Sequence, residues 1–198
     1  MSPVTLIPRP ETEYLVELVI HKLKDKKSDE LNICDIGTGC GCIAIVLAMN
    51  FNSAKIIATD ISEKALILAK ENSVLHNIEH RIGFLKSDLF ENVNDKFDLI
   101  ISNPPYVAES EKVNLEPEIL NYEPITALIA SDNGFAVIKR LINEAPNFLQ
   151  PNGLLAIEIG DKHGKKVLLE VEKSKEYKKG DVVKDLNGLD RYFFGKIN

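Results

Sequence analysis

The fold is decided by the stretch FDLIISNPPY, which occupies residues 97–106. Its first six residues are mostly apolar and β-branched, a pattern that predicts a short, buried strand. Two prolines then end the strand, because proline has no N–H for the ladder and pushes the preceding residue into extended geometry. Asn103 is therefore expected at the carboxyl end of a strand, where open α/β sheets bind their ligands.

Strands and helices alternate on both sides of this stretch. Strands are predicted at 31–36, 55–59, 81–85, 97–102, 154–159, 181–186 and 191–197, with amphipathic helices at 10–23, 42–49, 62–75, 135–145 and 160–171. This alternation predicts an α/β fold, a doubly wound three-layer sandwich around a mostly parallel seven-stranded sheet. The last two strands are joined by 187–190 only, which predicts a hairpin and hence a C-terminal antiparallel strand.

Length and composition fit one globular domain. The chain has 198 residues, of which 44% are hydrophobic and 27% charged. A formal net charge of −6 does not favour nonspecific binding to a nucleic-acid backbone. No apolar run approaches the roughly 18 residues of a membrane span, and the N-terminus does not resemble a signal peptide, so we expect a cytoplasmic protein.

The three cysteines, Cys34, Cys40 and Cys42, lie within one predicted strand–turn–helix stretch. An odd number argues against a disulfide framework, and their spacing lacks the C-x-x-C pattern of zinc sites. We therefore expect no metal and interpret all three as small buried thiols that pack as hydrophobic residues.

A glycine-rich turn, GTGCG at 37–41, follows the first strand. Alternate glycines let the backbone approach a ligand closely, and the following helix offers free N–H groups. The third glycine comes one residue too early for the dinucleotide fingerprint, which argues against an NAD site. The turn either holds the amino-acid part and ribose of a smaller nucleoside or is a tight connection without a ligand.

Two aspartates follow the next two strands. Asp60 lies about 20 residues after the turn, where a carboxylate reaches a ribose diol in such folds. Its structural alternative is the start of the next helix, although Ser62 is the better N-cap. Asp88, followed by Leu89, either accepts a hydrogen bond from the exocyclic amine of a purine or is an ordinary turn residue.

Residues 103–106 combine an amide, a rigid backbone carbonyl and an aromatic ring, which together suit a planar group that carries an N–H₂.

Arg9 lies between two prolines, in either a strap over the core or a lid that brings a cation to a ligand carboxylate. The segment 107–130 is long for a connection and indicates a functional loop. Glu158 lies inside an apolar strand, and a buried carboxylate needs a partner.

The layout from about residue 31 to the end resembles the Rossmann-like class I S-adenosylmethionine-dependent methyltransferases. The motif NPPY is shared with enzymes that methylate planar nitrogens in DNA, in ribosomal RNA or in a protein glutamine. Five segments are similar, in the same order, to the protein-glutamine N5-methyltransferases of peptide chain release factors (the HemK/PrmC family): LIPRPETE at 6–13, NPPYV at 103–107, EP at 123–124, LAIEIG at 155–160 and KDL at 184–186. That family usually carries a helical N-terminal domain, so we expect a truncated or excised domain here.

The resemblance implies that a methyl group passes from S-adenosylmethionine to the side-chain amide nitrogen of the glutamine in a Gly-Gly-Gln motif, leaving S-adenosylhomocysteine. The protein partner would be a class I peptide chain release factor. The resemblance divides the chain into an N-terminal strap and helix, 1–30, and a methyltransferase domain, 31–198. We further expect a monomer that binds neither a membrane nor nucleic acid directly.

The resemblance also assigns residues. Cofactor binding is expected for Gly37, Thr38, Gly39, Cys40, Gly41, Asp60, Asp88, Leu89 and Asn103. Catalysis is expected for Asn103, Pro104, Pro105 and Tyr106, and substrate binding for these four and Arg9. Two alternatives remain: an amino methyltransferase that acts on a base in DNA or RNA, and, from another class, a non-catalytic nucleotide-binding module.

Overall fold

A computed structural model describes residues 4–26 and 30–198. The strands in these ranges are β1 Asn32–Ile36, β2 Lys55–Asp60, β3 Ile82–Lys86, β4 Phe97–Ser102, β5 Val107–Ala108, β6 Ile129–Ala130, β7 Leu149–Glu158, β8 Tyr177–Lys184 and β9 Asp190–Ile197. The α-helices are α1 Pro10–Lys22, α2 Cys42–Asn50, α3 Glu63–Leu75, α4 Pro117–Tyr122, α5 Ala136–Glu144 and α6 Gly164–Ser174.

Seven strands form one sheet in the order β3-β2-β1-β4-β7-β9-β8. All pairings from β3 to β7 are parallel, whereas β9 runs antiparallel to both β7 and β8. The predicted doubly wound α/β fold with a C-terminal antiparallel strand is therefore confirmed. The direction of winding reverses between β1 and β4, and a ligand crevice opens at such a switch point.

The register of β1 and β4 brings two predicted site segments together. Ile36, the last residue of β1, pairs with Ser102, the last residue of β4. The glycine-rich turn begins at the next residue of one strand, and Asn103 is the next residue of the other. Both segments consequently leave the same edge of the sheet side by side.

Each face of the sheet packs against its own layer of helices. One core joins α1 and α2 to β1 and β4 through residues such as Leu15, Ile33 and Leu99. The other joins α5 to the opposite face of the same strands, with Ile138 and Ile100 among its members. Because successive side chains of a strand point to opposite faces, fully buried strands must be apolar throughout.

Helix α1 belongs to the core of the sheet. It begins at Pro10, since proline is tolerated at the first helical position, and it buries Leu15 and Val19 completely. The Tyr192 hydroxyl in β9 donates a hydrogen bond to the Glu11 carbonyl at 3.0 Å. The strap interpretation of this segment therefore fits better than a mobile lid. Residues 1–3 and 27–29 of the predicted segment 1–30 lie outside the described residues.

The segment 107–130 is more ordered than its sequence suggests. It contains α4 and the short parallel pair β5–β6, in which the Val107 N–H donates to the Leu128 carbonyl at 2.9 Å. Gly134 has a φ of +81°, and a Cβ there would lie 2.0 Å from the Tyr106 carbonyl oxygen. A glycine is therefore required where the next turn packs against the NPPY segment.

Within the described ranges, none of the helices has the length and apolar character needed to cross a membrane.

Leu15→Ala should lower the free energy of unfolding of the whole domain by about 2–5 kcal/mol, because it leaves a cavity in a fully buried site. The exposed Leu75 provides the control: Leu75→Ala should change stability by no more than about 0.5 kcal/mol. Urea denaturation followed by circular dichroism measures both. An unchanged main transition in Leu15→Ala, with a small separate early step, would show that α1 is not part of the common core.

Candidate active site

Asn103 presents a free acceptor at the end of β4. Its amide nitrogen Nδ2 donates a hydrogen bond to Thr12 Oγ1 at 2.8 Å, which ties it to the first turn of α1. Its side-chain oxygen Oδ1 accepts no hydrogen bond from the described residues. The carbonyl oxygen of the next residue, Pro104, likewise has no donor within the described ranges. Two acceptors thus remain available in one rigid segment.

Glu158, the last residue of β7, is completely buried and has two partners. Its Oε2 accepts from the Thr12 hydroxyl at 2.7 Å, and its Oε1 accepts from the Tyr106 hydroxyl at 3.0 Å. Burial raises the pKa of Glu158, and these two hydrogen bonds oppose that rise. The prediction that this carboxylate needs a partner is confirmed.

Tyr106 is held at its hydroxyl end and keeps a partly exposed ring. Burial raises its pKa, so the hydroxyl stays protonated and donates to Glu158. The Arg191 guanidinium lies 5.9 Å from the ring centroid, within cation–π range. Arg191 also donates to Asp185 Oδ2 at 3.3 Å, which keeps it in place.

The glycine-rich turn has an open side and a packed side. Gly37 and Gly41 both have positive φ, +71° and +84°. A Cβ on Gly37 would meet no heavy atom within 4 Å, so open space lies above the start of the turn. A Cβ on Gly41 would lie 3.0 Å from the Ala69 side chain, because the turn packs tightly on α3 there. The first half of the turn therefore offers room for a ligand.

Asp35 supports the turn from below, a role that the sequence analysis missed. It is fully buried, and its Oδ2 accepts from Thr38 Oγ1 at 2.6 Å and from the Ala44 N–H at 3.2 Å. Its Oδ1 has no partner among the described residues. Burial raises the pKa of Asp35 to about 7, against the lowering effect of its two donors. The sequence did offer a signal for this role, because Asp35 is a carboxylate near the end of an apolar strand, as Glu158 is.

Asp60 is bound to the turn by its own hydrogen bonds. Its Oδ2 accepts from the Gly39 N–H at 2.9 Å, and its Oδ1 accepts from the Ser62 N–H at 2.8 Å. Each carboxylate oxygen can accept a second hydrogen bond. The ribose role of Asp60 stays a prediction. Ser62 accepts from the Ala65 N–H at 3.3 Å, which confirms it as the N-cap of α3.

Asp88 has a protein partner that its sequence context did not indicate. Its Oδ1 accepts from Arg140 Nη1 at 2.8 Å, and Arg140 also pairs with Glu144 in α5. Leu89 beside it has a φ of +48°, an uncommon and costly conformation for a residue with a side chain. The predicted contacts of Asp88 and Leu89 with adenine stay predictions.

Arg9 is not the free cation that the sequence suggested. Its guanidinium pairs with Glu123, whose carboxylate is almost completely buried. A buried carboxylate requires compensation, and this requirement explains the difference. The pair fastens the segment 107–130 to the start of α1. The substrate-binding role of Arg9 stays a prediction, with its charge already balanced by the protein.

The interpretation of the cysteines as buried thiols that pack as hydrophobic residues is confirmed for Cys34, holds in part for Cys42, which packs against the core, and overstates the burial of Cys40. Cys34 is buried, whereas Cys40 and Cys42 are only partly buried, because the turn carries them to the edge of the sheet. The neighbouring Cys42 thiol lowers the pKa of Cys40, against the raising effect of burial. The Cys40 carbonyl accepts from Asn72 Nδ2 at 2.8 Å, a contact that fixes the turn to α3.

A cleft of about 310 Å³ lies beside Tyr106. The sequence analysis did not indicate it. Its wall includes Val107, Glu111, Gly160, Lys162 and His163. The segments after β4 and β7 line this cleft, and none of the turn residues 37–41 does. The cleft therefore adjoins Tyr106 and not the glycine-rich turn.

Comparisons with known proteins show which family the chain resembles. The methyltransferase small domain family matches residues 12–123. A release factor glutamine methyltransferase of Flavobacterium psychrophilum is 44% identical over 98% of this chain and 68% of the relative. A release factor glutamine methyltransferase of Lactococcus lactis is 40% identical over 94% of this chain and 67% of the relative. A bifunctional methyltransferase of Rickettsia typhi is 42% identical over 82% of this chain and 35% of the relative.

Solved structures show the same fold at low identity. The human METTL16 catalytic domain, in complex with a 3′UTR hairpin, has a TM-score of 0.75 and 21% identity, and the match covers 100% of this chain and 74% of that one. The Thermus thermophilus 16S rRNA methyltransferase RsmC, in complex with AdoMet and guanosine, has a TM-score of 0.70 and 16% identity, with 97% and 44% covered. At these identities the likeness establishes the fold alone.

The raised pKa of Asp35 predicts a pH dependence of stability. Unfolded Asp35 ionises near its ordinary value of 3.8 and folded Asp35 near 7, so between these values the unfolded state binds fewer protons. Stability should therefore fall as the pH rises from about 4 to about 7, by as much as roughly 4 kcal/mol. Asp35→Asn, which cannot ionise, should lack this part of the fall.

Urea denaturation of the wild type and of Asp35→Asn at a series of pH values measures the effect. The difference between the two free energies of unfolding should change steadily across this window and be constant above it. Two parallel curves would contradict the assignment, whatever the absolute stability of the variant.

Proposed function

This chain belongs to the release factor glutamine methyltransferase family, and we propose that it transfers a methyl group from S-adenosylmethionine to the side-chain amide nitrogen of the glutamine in a Gly-Gly-Gln motif of a peptide chain release factor. The proposal concerns the part of those relatives that the chain spans, 67% and 68% of their lengths. The release factor as partner, the monomeric state and the cytoplasmic location belong to the proposal as well.

The observation that carries the proposal is the acceptor pair at the end of β4. Asn103 Oδ1 and the Pro104 carbonyl are both without a donor from the described residues. They lie beside the open side of the glycine-rich turn, because β1 and β4 end in register. A primary amide has two N–H bonds, and two acceptors in a rigid segment match them.

These acceptors would act on a poor nucleophile. The lone pair of an amide nitrogen is delocalised into its carbonyl, so the nitrogen must be oriented and its developing positive charge stabilised. Asn103 Oδ1 and the Pro104 carbonyl would hold the two N–H groups and fix the direction of attack. The same two oxygens carry negative partial charges that favour positive charge on the nitrogen during transfer. The Tyr106 ring would pack on the plane of the amide.

The residues of the turn fit the cofactor. The space above Gly37 would admit a ligand, and the buried, unpartnered Asp35 Oδ1 lies at the base of the same turn. When bound, S-adenosylmethionine supplies an electrophilic methyl group on a cationic sulfonium. The residues proposed to hold it are Gly37, Thr38, Gly39, Cys40, Gly41, Asp60, Asp88, Leu89 and Asn103.

Asn103→Ala should reduce methylation by at least about 100-fold, since it removes the side-chain acceptor that orients the amide. Cofactor affinity should fall far less than activity, because Asn103 is only one of the residues proposed to hold the cofactor and the turn is untouched. Mass spectrometry of a release factor with a Gly-Gly-Gln loop, incubated with S-adenosylmethionine, detects one added methyl group on the glutamine. Calorimetry with S-adenosylhomocysteine measures the affinity.

A release factor with Glu in place of the target Gln is the matched control and should gain no methyl group. If Asn103→Ala lost cofactor affinity to the same extent as activity, Asn103 would act only on the cofactor and its role as acceptor of the substrate amide would be contradicted. Methylation of DNA or RNA in place of the release factor would assign the acceptor pair to a nucleobase. Tighter binding of NAD than of S-adenosylmethionine would contradict the whole proposal.

A further inference from the structure

We infer that Thr12 and Glu158 are positioning residues, and that the negative charge of Glu158 sets the direction of a hydrogen-bond chain that turns the Asn103 side-chain oxygen toward the substrate. The chain of contacts runs from Asn103 through Thr12 to Glu158, where Tyr106 joins it. The inference rests on the proposed function, in which Asn103 Oδ1 accepts from the substrate amide.

Counting protons fixes the direction of the chain. An ionised carboxylate can only accept hydrogen bonds, so the Thr12 hydroxyl must donate its single proton to Glu158 Oε2, which lies 2.7 Å away. The Thr12 oxygen can then only accept from Asn103, which lies 2.8 Å away. The side-chain atom of Asn103 that faces Thr12 must therefore be the nitrogen, and its oxygen points away. The two ends of an amide look alike in shape, so this proton count is what distinguishes them.

A neutral Glu158 would remove the constraint. A protonated carboxyl group can donate to the Thr12 oxygen, and the Thr12 proton is then free to point at Asn103. An Asn103 side chain turned by about 180° would accept that proton through its oxygen and present its N–H₂ group to the substrate. Two N–H groups facing each other cannot form a hydrogen bond, so the turned form would be inactive.

The surroundings of Glu158 place its titration above that of an ordinary glutamate. Burial raises its pKa, and Glu11 in α1 adds to the rise. The donors Thr12 and Tyr106 and the Arg191 guanidinium in β9 lower it. The Tyr192 hydroxyl, also in β9, is engaged with the Glu11 carbonyl. The net effect is a raised pKa, so Glu158 loses its charge closer to neutral pH than an ordinary glutamate does.

The position of Thr12 supports a dedicated role. Thr12 lies in the first turn of α1, where its backbone N–H donates to the Arg9 carbonyl at 3.0 Å, so its hydroxyl is not needed for the helix. The hydroxyl bonds residues 91 and 146 positions away in the sequence. These contacts are therefore products of the tertiary fold and not of local helix chemistry.

Three variants test the chain. Thr12→Val keeps the shape but has no hydroxyl, and should lower kcat on the order of 10- to 100-fold with cofactor affinity within about threefold of the wild type. Thr12→Ser restores the hydroxyl and should recover most of that loss. Glu158→Gln should also lower kcat, because an amide can donate to Thr12 and so permits the turned form.

The pH profile separates positioning from mere structural support. Methylation by the wild type should fall at acidic pH as Glu158 is protonated, whereas Glu158→Gln, which does not titrate, should lack this acid limb. Ser73→Ala is the matched control, since it removes another fully buried hydroxyl, one that bonds the Lys70 carbonyl within α3. It should keep both the activity and the acid limb of the wild type.

The orientation of Asn103 is read directly, without a release factor, from the ¹⁵N–¹H signals of its side-chain amide. In the wild type one amide proton should be protected from exchange by Thr12, and the protection should be lost in Thr12→Val and at acidic pH. If protection is found but no release factor is methylated, the positioning chain stands and the proposed function fails. If Thr12→Val keeps full activity, or Glu158→Gln keeps the acid limb, the inference is overturned.

Discussion

The structure depends on satisfying one carboxylate inside the sheet. Glu158 ends the interior strand β7 with no exposed surface, and an unpaired charge there would cost several kcal/mol. Its two donors, Thr12 and Tyr106, lie far apart in the sequence, and hydrogen bonds to a charged group contribute about 1.5–3 kcal/mol each. Meeting this one requirement therefore joins α1, the NPPY segment and the sheet into a single arrangement.

Rigidity of the site follows from the same arrangement. The two prolines that follow Asn103 restrict its backbone, and the hydrogen bond to Thr12 fixes its side chain. Its free oxygen therefore has a defined direction before any substrate arrives. Gly134 lets the neighbouring turn pack directly against the Tyr106 carbonyl. Preorganised acceptors need not reorganise when charge develops, which is the condition for effective electrostatic stabilisation.

The sequence predicted features that depend on local chemistry. Proline pairs, glycine turns and apolar runs identified every strand of the main sheet, the N-cap Ser62 and the position of Asn103 at a strand end. It did not predict Thr12 as a partner of Asn103 and Glu158, or Arg9 as a partner of Glu123. These pairs are separated by 91, 146 and 114 positions, and side chains that meet only through the tertiary fold leave no periodic signal.

The start of α1 is therefore better understood as a wall of the candidate site than as a lid over it. Moving α1 would expose the fully buried Leu15 and Val19, and would leave Glu158 with one donor fewer. Each of these losses costs on the order of 1–3 kcal/mol. By contrast, the segment 107–130 has few buried side chains and is fastened to this wall by the pair between Arg9 and Glu123. Adjustment to a protein substrate is consequently expected in that segment, while the proposed acceptors at the end of β4 stay fixed.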